Sequence, residues 1–275
     1  MPEAPEVERV REVLAARVEG ATLEGIRMVG RRLVRRHDPE LLATVSGRPI
    51  VSMRRIGKFL VFDLGTDALV VHLGMAGRLV VSDASATATH VQLVLDFRRA
   101  VITLVDPRTF SEAFVDVLGT DGRPRRLAGL GPDVFGPEEE IAASLERHAA
   151  RSRRAIKTAL LDQRVVAGLG NMYADETLFR VGVHPSTPMN VLGRRLVAIA
   201  EAAGDVAREA LAAGGTTFAD RAYRDPLDRP GAFGARLAVY QRAGSPCPRC
   251  ATSIVRRVLQ GRSAHWCPRC QQGGG

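Results

Sequence analysis

A chain of 275 residues, 45% of them hydrophobic, can bury a sizeable core and is long enough for two domains. It has no apolar run near the roughly 20 residues that cross a bilayer, and its acidic start lacks the basic-then-apolar order of a secretory signal, so a cytosolic protein is expected. The net charge of +9 points to a polyanionic partner, nucleic acid before membrane.

The first stretch is Met1-Pro2-Glu3-Ala4-Pro5-Glu6-Val7-Glu8. An initiator Met in front of Pro is expected to be removed, which leaves Pro2 as a free secondary amine beside the Glu3 carboxylate. An α-amino group titrates near pH 7.7–8, well below a Lys side chain, so a useful fraction is neutral at about pH 7. Such an amine can attack a carbon electrophile and form an iminium. Taken alone, the two prolines are better explained as shaping a helix start. That helix is predicted over 5–16, with Val7, Val10, Val13 and Leu14 as its apolar stripe.

From Thr22 to about Val117 the pattern changes to short β-branched runs between turn residues. Strands are predicted over 23–29, 49–54, 59–64, 69–73, 79–81, 91–97 and 101–105, with hairpin turns at 65–67 and 98–100. Successive strands with little helix between them imply an antiparallel sandwich or barrel. Residues 121–137 are rich in Gly and Pro and read as a linker. Helical patterns follow over 138–148, 151–163, 172–182 and 191–213, the last stopped by Gly214-Gly215. Residues 216–233 read as a long loop, and short strands surround the cysteines from Leu237 onward.

Two CxxC knuckles, Cys247/Cys250 and Cys267/Cys270, use all four cysteines of the chain. Their spacing suits a closed four-thiolate zinc site, structural because no ligand position is left open. Gly261 would turn the hairpin between them and place Arg262 near its tip. The turn Gly168-Leu169-Gly170-Asn171 offers Asn171 as an N-cap, and a helix N-terminus is a natural phosphate site, although most such turns are only turns. Met75 and Phe110 follow strand ends. They are more often core residues, but if exposed beside Arg108 on a basic face they would suit insertion into a DNA stack. Of 39 basic residues only Lys58 and Lys157 are lysines and the remaining 37 are arginines. Arg does not give up its proton, so each Lys is a candidate for proton transfer or a compact phosphate contact.

The segments PEAPEVE, IGKFLVF, HLGMAG, DPRTF, LLDQRVVAGLGNMYADETLF, GGTT, PGAFGARLAVYQRAGSPCPRC and GRSAHWCPRCQ occur together and in order. Together they resemble the family of formamidopyrimidine-DNA glycosylases and endonuclease VIII across essentially the whole chain. The resemblance implies a two-domain α+β fold: an N-terminal antiparallel β-sandwich with flanking helices, then a helix–two-turns–helix domain with a four-Cys zinc finger. The implied divisions are a catalytic domain over 1–117, a linker over 118–137, a DNA-binding domain with a lesion-capping loop over 138–233, and a zinc finger over 237–272.

The implied activity is a bifunctional DNA glycosylase and abasic-site lyase that excises oxidised purines (8-oxoguanine, formamidopyrimidines) from double-stranded DNA through a Schiff base, followed by β,δ-elimination. By analogy Pro2 attacks C1′ of a flipped nucleotide, Glu3 shuttles protons and Glu6 supports the amine. Lys58 resembles the proton donor for β-elimination and Arg262 the one associated with δ-elimination. His72, Asn171, Lys58 and Arg262 would grip phosphates, Met75, Arg108 and Phe110 would fill the gap left by the flipped base, and His90 and Arg153 would add DNA contacts. One structural zinc, no membrane, a monomer, and a bacterial-type cytoplasmic location at the nucleoid complete the expectation.

Some positions depart from the family pattern. Thr109 stands where a second Arg is frequent, Ala232 where an aromatic is frequent, Ala251 where Gly follows the knuckle Cys247/Cys250, and Ala88 where a second His precedes His90. An endonuclease VIII-type enzyme for oxidised pyrimidines is the alternative, less favoured because Met75, Arg108 and Phe110 occur together. A non-catalytic DNA-binding relative would not need Pro2, Glu3, Lys58 and Arg262 together, and a zinc-ribbon RNA binder would leave the N-terminus unexplained.

Overall fold

The structure, a computed structural model, describes residues 2–30, 32–34, 38–83, 89–218 and 223–273. Met1, Ala88 and residues 219–222 of the long loop lie outside the described residues. The contacts divide the chain into two units, 1–129 with 213–234, and 130–212 with 235–275. Segment 213–234, which the sequence division sets with the helices, thus has its contacts in the first unit.

Among the described residues of the first unit, helix α1 (Ala4–Val18) precedes nine strands: β1 (Thr22–Met28), β2 (Arg48–Pro49), β3 (Ser52–Ile56), β4 (Phe59–Asp63), β5 (Asp67–His72), β6 (Arg78–Ser82), β7 (Val91–Phe97), β8 (Ala100–Val105) and β9 (Glu112–Val117). They form two antiparallel sheets, ordered β2-β1-β7-β8-β6 and β3-β4-β5-β9. Alternation sends Leu93 and Leu95 of one sheet and Leu60, Phe62, Leu69 and Val71 of the other into one core, which the α1 residues Val7, Val10 and Leu14 share. Strand β9 escapes sequence reading because Glu112 and Asp116 interrupt its apolar pattern.

The end-to-end placement of α1 follows from hydrogen bonds. Glu19 at its C-terminal end accepts the Met53 N–H at 2.8 Å, and Arg55 reaches back to Glu8 at 2.9 Å. The helix therefore runs antiparallel to β3, and its first turn lies at the end where β3 stops. The β3–β4 turn, the end of β5 and the start of β9 share that end, as the pairs Ile56↔Phe59, Phe59↔His72 and His72↔Glu112 require.

The second unit holds helices α2 (Glu138–Ala149), α3 (Ile156–Leu161), α4 (Asn171–Arg180) and α5 (Arg195–Ala212), followed by the hairpin β10 (Val255–Leu259) and β11 (Arg262–Trp266). Two predicted helices are shorter than the periodicity suggests. Residues 151–155 are not helical because the Ile156 and Lys157 N–H groups pair with the carbonyls of Thr187 and Pro185. Gly193, at φ +49, precedes the start of α5. Among the described residues no helix is long and apolar enough to cross a membrane.

Candidate active site and zinc centre

Pro2 to Val7 form a buried start to α1, where Glu3 and Glu6 are only 2% and 1% exposed. The Glu6 carboxylate accepts the Glu3 N–H at 2.9 Å on Oε2 and the Thr216 N–H at 2.8 Å on Oε1. One side chain thereby fixes both the first turn of α1 and the stem of segment 213–234. Gly215, at φ +87, makes this approach possible, since a Cβ there would sit 3.0 Å from Glu6 Oε1 and 2.9 Å from Tyr223 Cε1. The Tyr223 hydroxyl donates to the Gly214 carbonyl at 3.2 Å. Burial first, then the charges of Glu6 and Asp225, push its pKa far above the usual phenol value, so it remains a donor. Thr216 falls in the GGTT segment, which gave it no role of its own, and Tyr223 lies in none of the marked segments.

Lys58 sits buried in the β3–β4 turn, after Gly57 at φ +58. Arg55 holds this turn, donating to the Gly57 carbonyl at 2.7 Å while it pairs with Glu8 of α1 at 2.9 Å. His72 ends β5, its ring 4.8 Å from that of Phe59, and its Nδ1 accepts the Gly74 N–H. Beyond it, Met75 is 38% exposed and Phe110 45% exposed, and the Arg108 guanidinium lies 5.2 Å from the Phe110 ring centre. His90 is exposed at φ +63, with its carbonyl accepting the Asp106 N–H and the Gln92 amide. Pro2, Glu3, Lys58, His72, Met75, Arg108 and Phe110 thus belong to the same end of the first unit.

In the second unit the cap of α4 is Gly170, not Asn171, because Gly170 has the extended backbone a cap needs and Asn171 already begins the helix. The Asn171 side chain donates to the Ser263 hydroxyl at 3.2 Å. Gln163 staples the turn before it, donating to the Leu169 carbonyl and accepting the Gly168 N–H. Arg153 is exposed. So is Arg262, which opens β11 directly after the Gln260-Gly261 turn, where both residues have positive φ.

Two consecutive acids of α4, which sequence reasoning missed, anchor this hairpin and the segment before it. Asp175 accepts Lys157 Nζ at 2.6 Å and the His265 N–H at 2.9 Å. Glu176 accepts the N–H groups of Ala238, Val239 and Tyr240 at 2.8–2.9 Å, yet burial still holds its carboxyl above the usual range. Lys157 is 2% exposed and also bonds the Ser263 carbonyl. It is therefore a structural cation, and neither the proton donor nor the phosphate contact that composition suggested. The local signal was a lysine within the largely apolar helix α3.

The four cysteine sulfurs lie within 4.8 Å of one another. Cys250 is 3.4 Å from Cys267 and from Cys270, and Cys247 is 3.9 Å from Cys270. Tetrahedral Zn–S bonds of about 2.3 Å put sulfurs about 3.8 Å apart, whereas a disulfide needs about 2 Å. The residues fit one structural zinc. Hydrogen bonds from Thr252 draw the Cys250 thiol down to about 6, whereas burial pushes the Cys267 thiol up and the Cys270 thiol up to about 12. Phe179, Val239 and Ile254 pack around the knuckles.

The family model described as the formamidopyrimidine-DNA glycosylase N-terminal domain matches residues 1–113, its H2TH domain matches 130–222, and a zinc finger found in FPG and IleRS matches 244–273. A formamidopyrimidine-DNA glycosylase of Geobacillus kaustophilus is 39% identical, over 99% of this chain and 100% of its own. The crystal structure of the MutM (Fpg) protein of Thermus thermophilus superposes with a TM-score of 0.87 at 38% identity, over 98% of each chain. A Lactococcus lactis FPG mutant in complex with a Fapy-dG containing DNA gives 0.86 at 30%, over 99% of this chain and 100% of that one.

Proposed function

The chain belongs to the formamidopyrimidine-DNA glycosylase family, and on that premise we propose which of its residues carry out base excision and strand cleavage on double-stranded DNA. The protein is a DNA glycosylase of base excision repair with abasic-site lyase activity, and its substrate class is DNA carrying oxidised purines or abasic sites. The reading sets it in a bacterial-type cytoplasm, at the nucleoid.

With Met1 removed, the Pro2 nitrogen is the first atom of the chain. A lesion nucleotide turned out of the stack exposes C1′. The neutral amine bonds to C1′, and the glycosidic bond breaks with its electron pair leaving on the base, which takes up a proton. Glu3 takes the amine proton and returns one to the ring oxygen as the sugar opens, giving the iminium between Pro2 and C1′. Lys58 then serves β-elimination, which expels the 3′ phosphate, and Arg262 serves δ-elimination of the 5′ phosphate. His72, His90, Arg153 and Asn171 contact the backbone, where cations and helix N-termini suit phosphate. Met75, Arg108 and Phe110 fill the space the base leaves. Cys247, Cys250, Cys267 and Cys270 would hold the zinc, whose role would be to fold the hairpin that carries Arg262.

The observation that carries this reading is the locked first turn of α1, where a buried carboxylate next to Pro2 shares one end of the fold with Lys58. Pro2→Gly tests it. Excision is expected to fall by orders of magnitude and borohydride trapping of the protein–DNA adduct to disappear, while affinity for lesion DNA stays. Turnover at the unsubstituted rate would overturn the mechanism.

A further inference from the structure

Asp106 is fully buried, and nothing in the chemistry above uses it. Its carboxylate faces its own loop. Oδ1 accepts the Arg108 N–H at 3.0 Å, and Oδ2 accepts the N–H groups of Phe110 and Ser111, each at 2.7 Å. Its carbonyl accepts the Gln92 amide at 3.1 Å, from a side chain that is itself buried. The loop these bonds close is strained, with Thr109 in the left-handed region at φ +53. The apolar tip Phe110 is thereby held out toward solvent on a backbone that has little freedom to fold it back.

The second tip is coupled to the first. Gly74 has φ +64, and a Cβ on it would lie 2.5 Å from the Phe110 carbonyl carbon and oxygen and 2.7 Å from the Ser111 nitrogen. The Met75 loop therefore rests directly on the backbone that Asp106 organises, and any side chain at position 74 would wedge the two loops apart.

We propose that Asp106 is a positioning residue for lesion extrusion: its three amide bonds, with the close approach at Gly74, hold Met75, Arg108 and Phe110 as one rigid unit. This rests on the reading of those three residues as the filler of the vacated stack. Unstacking a base has to be offset by side chains already in place. A loop that had to order itself at that moment would contribute less, because ordering costs conformational entropy.

The test compares Asp106→Asn, Gly74→Ala and Phe110→Ala in the zinc-loaded full chain. Each is assayed for excision from a duplex with one oxidised purine, for cleavage at a preformed abasic site, and for the fluorescence of 2-aminopurine placed beside the lesion. Asp106→Asn keeps the shape of the side chain but puts a donor against an N–H group, and Gly74→Ala displaces the loops without touching Asp106. Both are expected to lower excision about 10–100-fold, the scale of a misplaced group, and to weaken the fluorescence change. Abasic cleavage should fall by less than about threefold, because no base has to leave the stack. If both variants keep full excision and fluorescence while Phe110→Ala is impaired, the positioning role is overturned. If Phe110→Ala is unimpaired too, the gap-filling reading fails and takes this inference with it. Equal loss of both activities with a lowered melting temperature marks a fold defect and also overturns the role.

Discussion

Replacing Glu6 by Gln tests whether the first turn of α1 depends on being held from two directions. The carboxylate spends one oxygen on the Glu3 N–H and the other on the Thr216 N–H, at 2.9 and 2.8 Å. Gln matches its size but has a single acceptor oxygen. Whichever amide that oxygen serves, the NH2 group is turned toward the other, donor against donor. A bond to a charged group contributes about 1.5–3 kcal/mol, and a buried amide left unsatisfied costs about 1–3 kcal/mol. Roughly 2 kcal/mol is therefore lost, which in a protein of this size lowers the melting temperature by about 4–8 °C. The catalytic loss should be larger, because a displaced nucleophile costs up to about 100-fold in rate. Single-turnover excision is expected to fall about 10–100-fold, and borohydride trapping with it, while lesion-DNA affinity changes by less than about threefold. Gly215→Ala approaches the same bond from the loop side and should give the same pattern. A Glu6→Gln protein with unchanged excision rate and unchanged melting temperature would refute the argument.

Three further outcomes follow from local geometry. Cys250→Ser should unfold the β10–β11 hairpin, whose folding free energy is largely that of metal binding, and reduce DNA affinity at least tenfold while the first unit, with its own core, still melts cooperatively; loss of that transition in calorimetry would contradict it. Ala251 occupies φ +61, a conformation that costs an L-residue about 1 kcal/mol. Ala251→Gly should therefore tighten zinc retention in a chelator competition, by about threefold or more; a looser site would count against the strain. Arg180 donates to both oxygens of Glu209 at 2.7 and 2.8 Å, which holds that carboxyl below its ordinary value of 4.5. A depressed acid stabilises the fold above its unfolded value and loses that contribution as pH falls. The urea midpoint should thus separate native protein from Glu209→Gln near pH 7, modestly for a solvent-screened pair, and the gap should narrow steadily as pH falls below 4.5. A gap that persists in acid would refute it.

What could be read from the sequence was whatever its chemistry encodes locally. The cysteine knuckles, the Val7–Leu14 stripe and most strands depend on neighbours a few residues away, and their spacing is printed in the chain. The restraints on the site are not local. Glu6 meets Thr216 across 210 positions and Lys157 meets Ser263 across 106, and no periodicity announces either. Asp106 looks like an ordinary turn acid before Pro107, and only its burial reveals that it organises a loop.

The two lysines show where composition alone misleads. Rarity marked both as candidates for chemistry, yet Lys157 has a reason that is purely one of shape. Its ammonium sits with the Asp175 carboxylate and the Ser263 carbonyl each 2.6 Å away, two acceptors converging on one nitrogen in a space with 2% exposure. A guanidinium spreads its donors over a rigid plane and cannot aim two of them at one point. Lys157→Arg should therefore destabilise the second unit by the several kcal/mol expected when a buried pair is broken, with calorimetry of the zinc-loaded protein as the check. If Arg is accepted there without loss, compactness is not why a lysine was kept at this position.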